Sequence, residues 1–97
     1  MEIKTSDLNC ASYILSEGGT LKDVRVIPAK RNGRQRPCAE FVLTGDDILD
    51  LEQTFKSGKA MVDLMRFRTS LRHIKDNMFH ALRKYELSKL KRNNFTL

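Results

Sequence analysis

Residues Lys22 to Leu43 read KDVRVIPAKRNGRQRPCAEFVL, and the fold is decided there. Two extended runs flank Asn32-Gly33, a dipeptide suited to a two-residue type I′ turn because both central residues need positive φ. A β-hairpin is therefore predicted, and the turn sets its register. Arg31 faces Arg34, Ile27 faces Cys38, Arg25 faces Glu40 and Val24 faces Phe41. This pairing gathers Val24, Val26, Ala39, Phe41 and Leu43 on one face and sets Arg25 against Glu40 as a cross-strand ion pair. Pro28 and Pro37 also fall opposite each other, so regular pairing is expected to falter there. The alternative for the distal part, Ala29 to Arg36, is a mobile loop.

Working outward, a helix is predicted before the hairpin, over about Ser6 to Glu17. Thr5 or Ser6 can cap it, and Asp7 suits the positive end of the helix dipole. Leu8, Ala11 and Leu15 share one face, Ile14 widens it, and Gly18-Gly19 stops the helix. After the hairpin comes a short acidic helix, about Asp46 to Lys56, with Thr44 and Asp46 as candidate caps. Ile48, Leu49, Leu51 and Phe55 are its buried side, and Ser57-Gly58 ends it.

The last element is a long helix from about Asp63, its N-cap, to Arg92. Leu64, Phe67, Leu71, Ile74, Met78, Ala81 and Tyr85 step by three and four residues, a heptad-type seam. Leu64 to Met78 are expected to pack within the monomer, while Ala81, Tyr85 and Leu90 are candidates for homodimerisation. About 30 helical residues span about 45 Å, and a globule of this size is roughly 30–35 Å across. The helix should overhang its own domain. The fold class is α+β in the order α–β–β–α–α: a two-stranded antiparallel hairpin packed on helices. Residues 1–92 form one domain and 93–97 a flexible tail.

The chain has 97 residues, 40% of them apolar, enough for one modest core. No apolar run approaches the ~20 residues of a membrane span, and the first residues lack the apolar stretch of a signal peptide. A cytoplasmic protein without a membrane partner is expected. Cys10 and Cys38 are far apart and belong to no CxxC pair, so they read as two small buried thiols.

Charge is more informative. Lys and Arg number 18 against 12 Asp and Glu, a net charge of +6. Residues 1–21 sum to −2, 22–45 to +4, 46–65 to −3 and 66–97 to +7. Such an asymmetry points to nucleic acid or another polyanion. The hairpin tip carries Lys30, Arg31, Arg34 and Arg36, and arginines facing each other across a turn repel unless something anionic arrives. The second block is Arg83, Lys84, Lys89, Lys91 and Arg92, beyond a middle that holds Arg66, Arg68, Arg72 and Lys75. Phe41, Phe55, Phe67 and Tyr85 occupy predicted core positions and Phe95 lies in the tail. Little aromatic surface is left for base stacking, and duplex backbone contact is the easier picture.

Other constellations have plainer explanations. His73 and His80 are seven apart, whereas a helical metal pair wants i, i+4 spacing. Asp46, Asp47 and Asp50 serve helix capping. No nucleotide-binding glycine loop, nucleophile elbow or Cys/His pair with plausible partners is present, so neither a metal, a cofactor nor catalysis is expected.

The strings Lys4-Thr5-Ser6-Asp7-Leu8, Ala11-Ser12-Tyr13, Ser57-Gly58-Lys59-Ala60-Met61-Val62-Asp63, Phe67 and Leu71-Arg72-His73-Ile74-Lys75 carry a family resemblance. Over about residues 3–80 the chain resembles a small uncharacterised domain family of phage and mobile-element reading frames. The resemblance implies a compact α–β–β–α–α domain and no known activity. The sequence thus reads as a non-catalytic accessory protein that binds nucleic-acid backbone. The alternative is a protein-interaction module, an inhibitor or assembly factor, docking on an acidic protein or homodimerising through its long helix.

Overall fold

The computed structural model describes residues 1–31 and 33–94, with the side chains of 29–31, 34, 35 and 89–94 left aside. Its elements are β1 (Glu2–Thr5), α1 (Leu8–Ser16), β2 (Thr20–Arg31), β3 (Arg34–Thr44), α2 (Ile48–Lys56) and α3 (Leu64–Asn94). The class is α+β, but the order gains a strand at its start. The sheet has three antiparallel strands in the order β1-β3-β2. Lys4 pairs with Val42 and Thr5 with Phe41, and Ile3 is buried. Four residues with one apolar side chain carry too little alternation to announce a strand; β1 exists because the edge of β3 offers it a partner.

The hairpin register is as the turn dictates: Arg31↔Arg34, Ile27↔Cys38, Arg25↔Glu40 and Val24↔Phe41. Gly33 has φ +75, as a primed turn requires, while Asn32 lies outside the described residues. Pairing continues through Pro28↔Pro37 to the tip, against the expectation of a break; the single irregularity falls between Leu21 and Asp23. Next to a two-residue turn the first pair exchanges both hydrogen bonds, and pair types alternate from there. Pro28↔Pro37 is then a non-hydrogen-bonded pair, whose N–H groups would point outward. The ladder loses nothing. Arg25 and Glu40 are paired in register, but the short contact of Arg25 runs to Asp23, Nε to Oδ2 at 3.5 Å.

Helix α1 starts at Leu8, with Asp7 rather than Thr5 or Ser6 as N-cap: its carboxylate accepts from the N–H groups of Asn9 (2.9 Å) and Cys10 (3.1 Å). Cys10 to Ile14 are all buried, and so is Ser16. Ser12 and Ser16 tolerate this because their hydroxyls donate to the Leu8 and Tyr13 carbonyls at 2.7 Å. Tyr13 stacks on Phe55 of α2, with centroids 6.1 Å apart. After α1 the chain passes so close that a Cβ on Gly19 would lie 2.6 Å from Ile14 Cγ2.

Helix α2 begins at Ile48, and Thr44 belongs to β3. Asp47 takes the N-cap position without a side-chain hydrogen bond, and Leu49 faces solvent rather than the core. Asp63 caps α3 as expected, its Oδ1 accepting from the Arg66 N–H at 3.0 Å. Ile74 is fully buried, and Phe67 and Met78 pack on the same cluster as Ile14, Phe41, Leu43 and Ile48. Leu64, at the head of the expected seam, is 66% exposed. The helix runs on through Asn93 and Asn94; the remainder of the expected tail, 95–97, lies outside the described residues. The protein measures 53 × 26 × 25 Å. The 31 residues of α3 span about 46 Å, most of the long axis.

Candidate nucleic-acid interface

The two basic blocks sit on elements whose relative direction can be worked out. Strand β3 descends from Arg34 at the tip to Thr44, about 33 Å at ~3.3 Å per residue. The acidic turn that follows, Asp46 and Asp47, is therefore at the far end of the ribbon from the tip. Helix α3 starts at that far end: Arg66 Nη2 donates to the Ser16 carbonyl at 2.7 Å, four residues before β2 begins. Further along, Asn77, His80, Ala81 and Lys84 line a groove together with Leu21, Lys22, Asp23 and Val24. Helix α3 thus advances in the same sense as β2. Two elements of about 46 and 36 Å fit an envelope only 26 Å wide by lying lengthwise, side by side. The residues beyond Lys84 head for the tip end.

This arrangement sorts the charges. Glu17, Asp46, Asp47, Asp50 and Asp63 belong to one end and hairpin positions 30–36 to the other, towards which α3 runs after Lys84. The acidic caps and turns collect at the end where α3 starts, and the cations Arg66, Arg68, Arg72 and Lys75 run from there along the first half of the helix.

Arg36, Arg83 and Lys84 are exposed, Lys84 beside Leu21 to Val24 and so short of the tip. Lys30, Arg31, Arg34, Lys89, Lys91 and Arg92 have described backbone only, so their register positions alone are known. Positions 31, 34 and 36 share the parity of Arg25 and Glu40; position 30 shares that of Val24 and Val26, whose face α1 and α3 cover. The end of α3 therefore runs towards the tip without the two blocks lying on one flat face. They are two prongs. Of the dimerisation candidates, Ala81 is half-buried beside its own β2, Tyr85 is half-buried, and the Leu90 side chain lies outside the described residues.

The ion pairs of the described residues are Lys22–Glu2, Arg25–Asp23 and Lys56–Glu52. No cation of α3 is among them. At the acidic end, the hydrogen bond from Lys22 (3.0 Å) and its charge hold the Glu2 carboxyl below the usual carboxylate range. Both cysteines are free; Cys10 is buried, but Cys38 is only half-buried. His73 and His80 are exposed. Among the described residues no three His, Cys, Asp or Glu side chains converge as a metal would need, and no helix is long and apolar enough to cross a membrane.

One residue of interest escaped the sequence reading. Phe79 lies outside the heptad seam and is 59% exposed among the cations of α3. An aromatic off the seam with Lys75 four residues before it and Arg83 four after was the available signal. In comparisons with known proteins, no family model, curated protein or solved structure matches this chain.

Proposed function

We propose that the protein is a small, non-catalytic accessory factor that binds nucleic-acid backbone with its basic end, the hairpin tip and the end of α3 straddling the phosphates. The observation that supports this reading is the direction of α3, whose basic end runs towards the basic hairpin tip and away from the acidic turn. A two-stranded ribbon can enter a groove or follow a backbone, and a helix beside it can reach the neighbouring phosphates. Duplex is the favoured partner, and no cofactor takes part. A cytoplasmic setting and the phage or mobile-element origin implied by the resemblance of residues 3–80 belong to the same proposal.

The test is fluorescence anisotropy with duplex and single-stranded oligonucleotides at about 50 and 200 mM salt, where six to ten phosphate contacts lose about 10³–10⁵ in affinity. Replacing Arg31, Arg34 and Arg36 together by Ala should weaken binding to every sequence and flatten the salt dependence. Unchanged affinity removes the tip from the interface. One observation favours the rival, a protein-interaction module: Met61, Leu64 and Met65 are all strongly exposed at the acidic end. A solution mass of two chains, with no binding to either oligonucleotide at low salt, would establish that reading instead.

A further inference from the structure

On α3, Arg68, Arg72, Lys75, Phe79 and Arg83 follow one another at intervals of four, three, four and four residues, which places them in one row along the helix. The row lies on the side away from Ile74, the buried residue that anchors α3 to the core. Arg68, Leu71, Arg72, Lys75, Asp76 and Phe79 line a shallow hollow there. The cations of the row take part in none of the ion pairs among the described residues. The ring contact of the described residues is Tyr13 on Phe55, so the Phe79 ring is not covered by a neighbour's ring or cation.

A single exposed aromatic needs no explanation by itself. What sets Phe79 apart is its setting, a largely exposed ring with Lys75 and Arg83 one turn away on either side and one carboxylate, Asp76, in the same hollow. We infer that Phe79 is a stacking platform for an unpaired nucleobase, with Arg72, Lys75 and Arg83 taking the flanking phosphates. Stacking is sequence-tolerant because every base has a π-face, and a cationic track beside aromatic rings is how single strands are held. The inference rests on the nucleic-acid reading and deepens it. The basic end grips backbone of either form, and the Phe79 row adds affinity only where bases are free to turn out, as at a frayed end, a bubble or a single strand.

The chain contains no tryptophan, so Phe79→Trp introduces a single indole, excited selectively at wavelengths beyond the absorption of the tyrosines, at an exposed site. Titration with short oligothymidylate should quench the introduced indole, whereas a blunt duplex of equal length should bind without quenching. Phe79→Ala should lower affinity for the single strand by roughly 5- to 150-fold, the span of one stacked base, and leave duplex affinity and the circular dichroism spectrum unchanged. If oligothymidylate binds with its usual salt slope, yet the indole is not quenched and Phe79→Ala binds as the parent does, the platform is wrong and the backbone reading stands. If neither nucleic acid binds at low salt, both fall together.

Discussion

Cys10 lies in the core, 2% exposed, one turn after the Asp7 cap. Burial pushes its thiol above the ordinary range, and the negative charges of Asp7 and Glu52 push the same way. The consequence for stability has a definite sign. An unfolded chain gives up the thiol proton near the ordinary value of about 8.5, while the folded chain keeps it. The fold therefore has its full stability below that pH and loses stability as pH rises towards the folded value. Urea midpoints should decline from about pH 8.5 upward, and Cys10→Ala should flatten the decline. In the native protein a thiol reagent should consume Cys38, half-buried on the ribbon, well before Cys10. Equal rates for the two would mean that α1 opens far more readily than its packing allows.

At the scale of elements, the ribbon combines a strong turn with an unfavourable tip. Pro28 and Pro37 remove outward-facing N–H groups at one level of the ribbon, past the point where β1 stops pairing. This discourages strand addition from outside. Arg31 opposite Arg34 works against pairing, because like charges directly across a ladder repel. Arg34→Glu would turn that repulsion into attraction, so thermal or urea denaturation should show a gain of about 0.2–1 kcal/mol. The same variant should bind nucleic acid more weakly, and a loss of stability would refute the opposed placement. The ribbon was the part of the fold most legible in the sequence, because Asn32-Gly33 sets every pair from Arg31↔Arg34 down to Asp23↔Val42. Strand β1 was illegible for want of alternation. The all-round burial of α1 was hidden by Ser12 and Ser16, which look like solvent-facing residues until their hydroxyls find carbonyls of their own helix.

On the scale of the whole molecule, both basic blocks could be read from the sequence, but their meeting could not. It depends on α3 starting beside Ser16 and running the way β2 runs, a matter of packing that no local signal encodes. The same packing sets the acidic turn apart from the proposed interface, which makes a quantitative test possible. Asp46 and Asp47 lie beyond the end of β3, about 33 Å from the tip. The Debye length is about 8 Å at 0.15 M salt and about 30 Å at 0.01 M. Replacing Asp46, Asp47 and Asp50 by Asn should therefore change affinity by less than about twofold at 0.15 M and raise it clearly at 0.01 M, as screening dictates. Charge reversal at Arg36 or Arg83 should instead weaken binding at both ionic strengths, since the proposed interface includes those residues. Tighter binding of the Asn variant at 0.15 M would put the acidic turn beside the nucleic acid and overturn the placement of the interface at the tip and the end of α3.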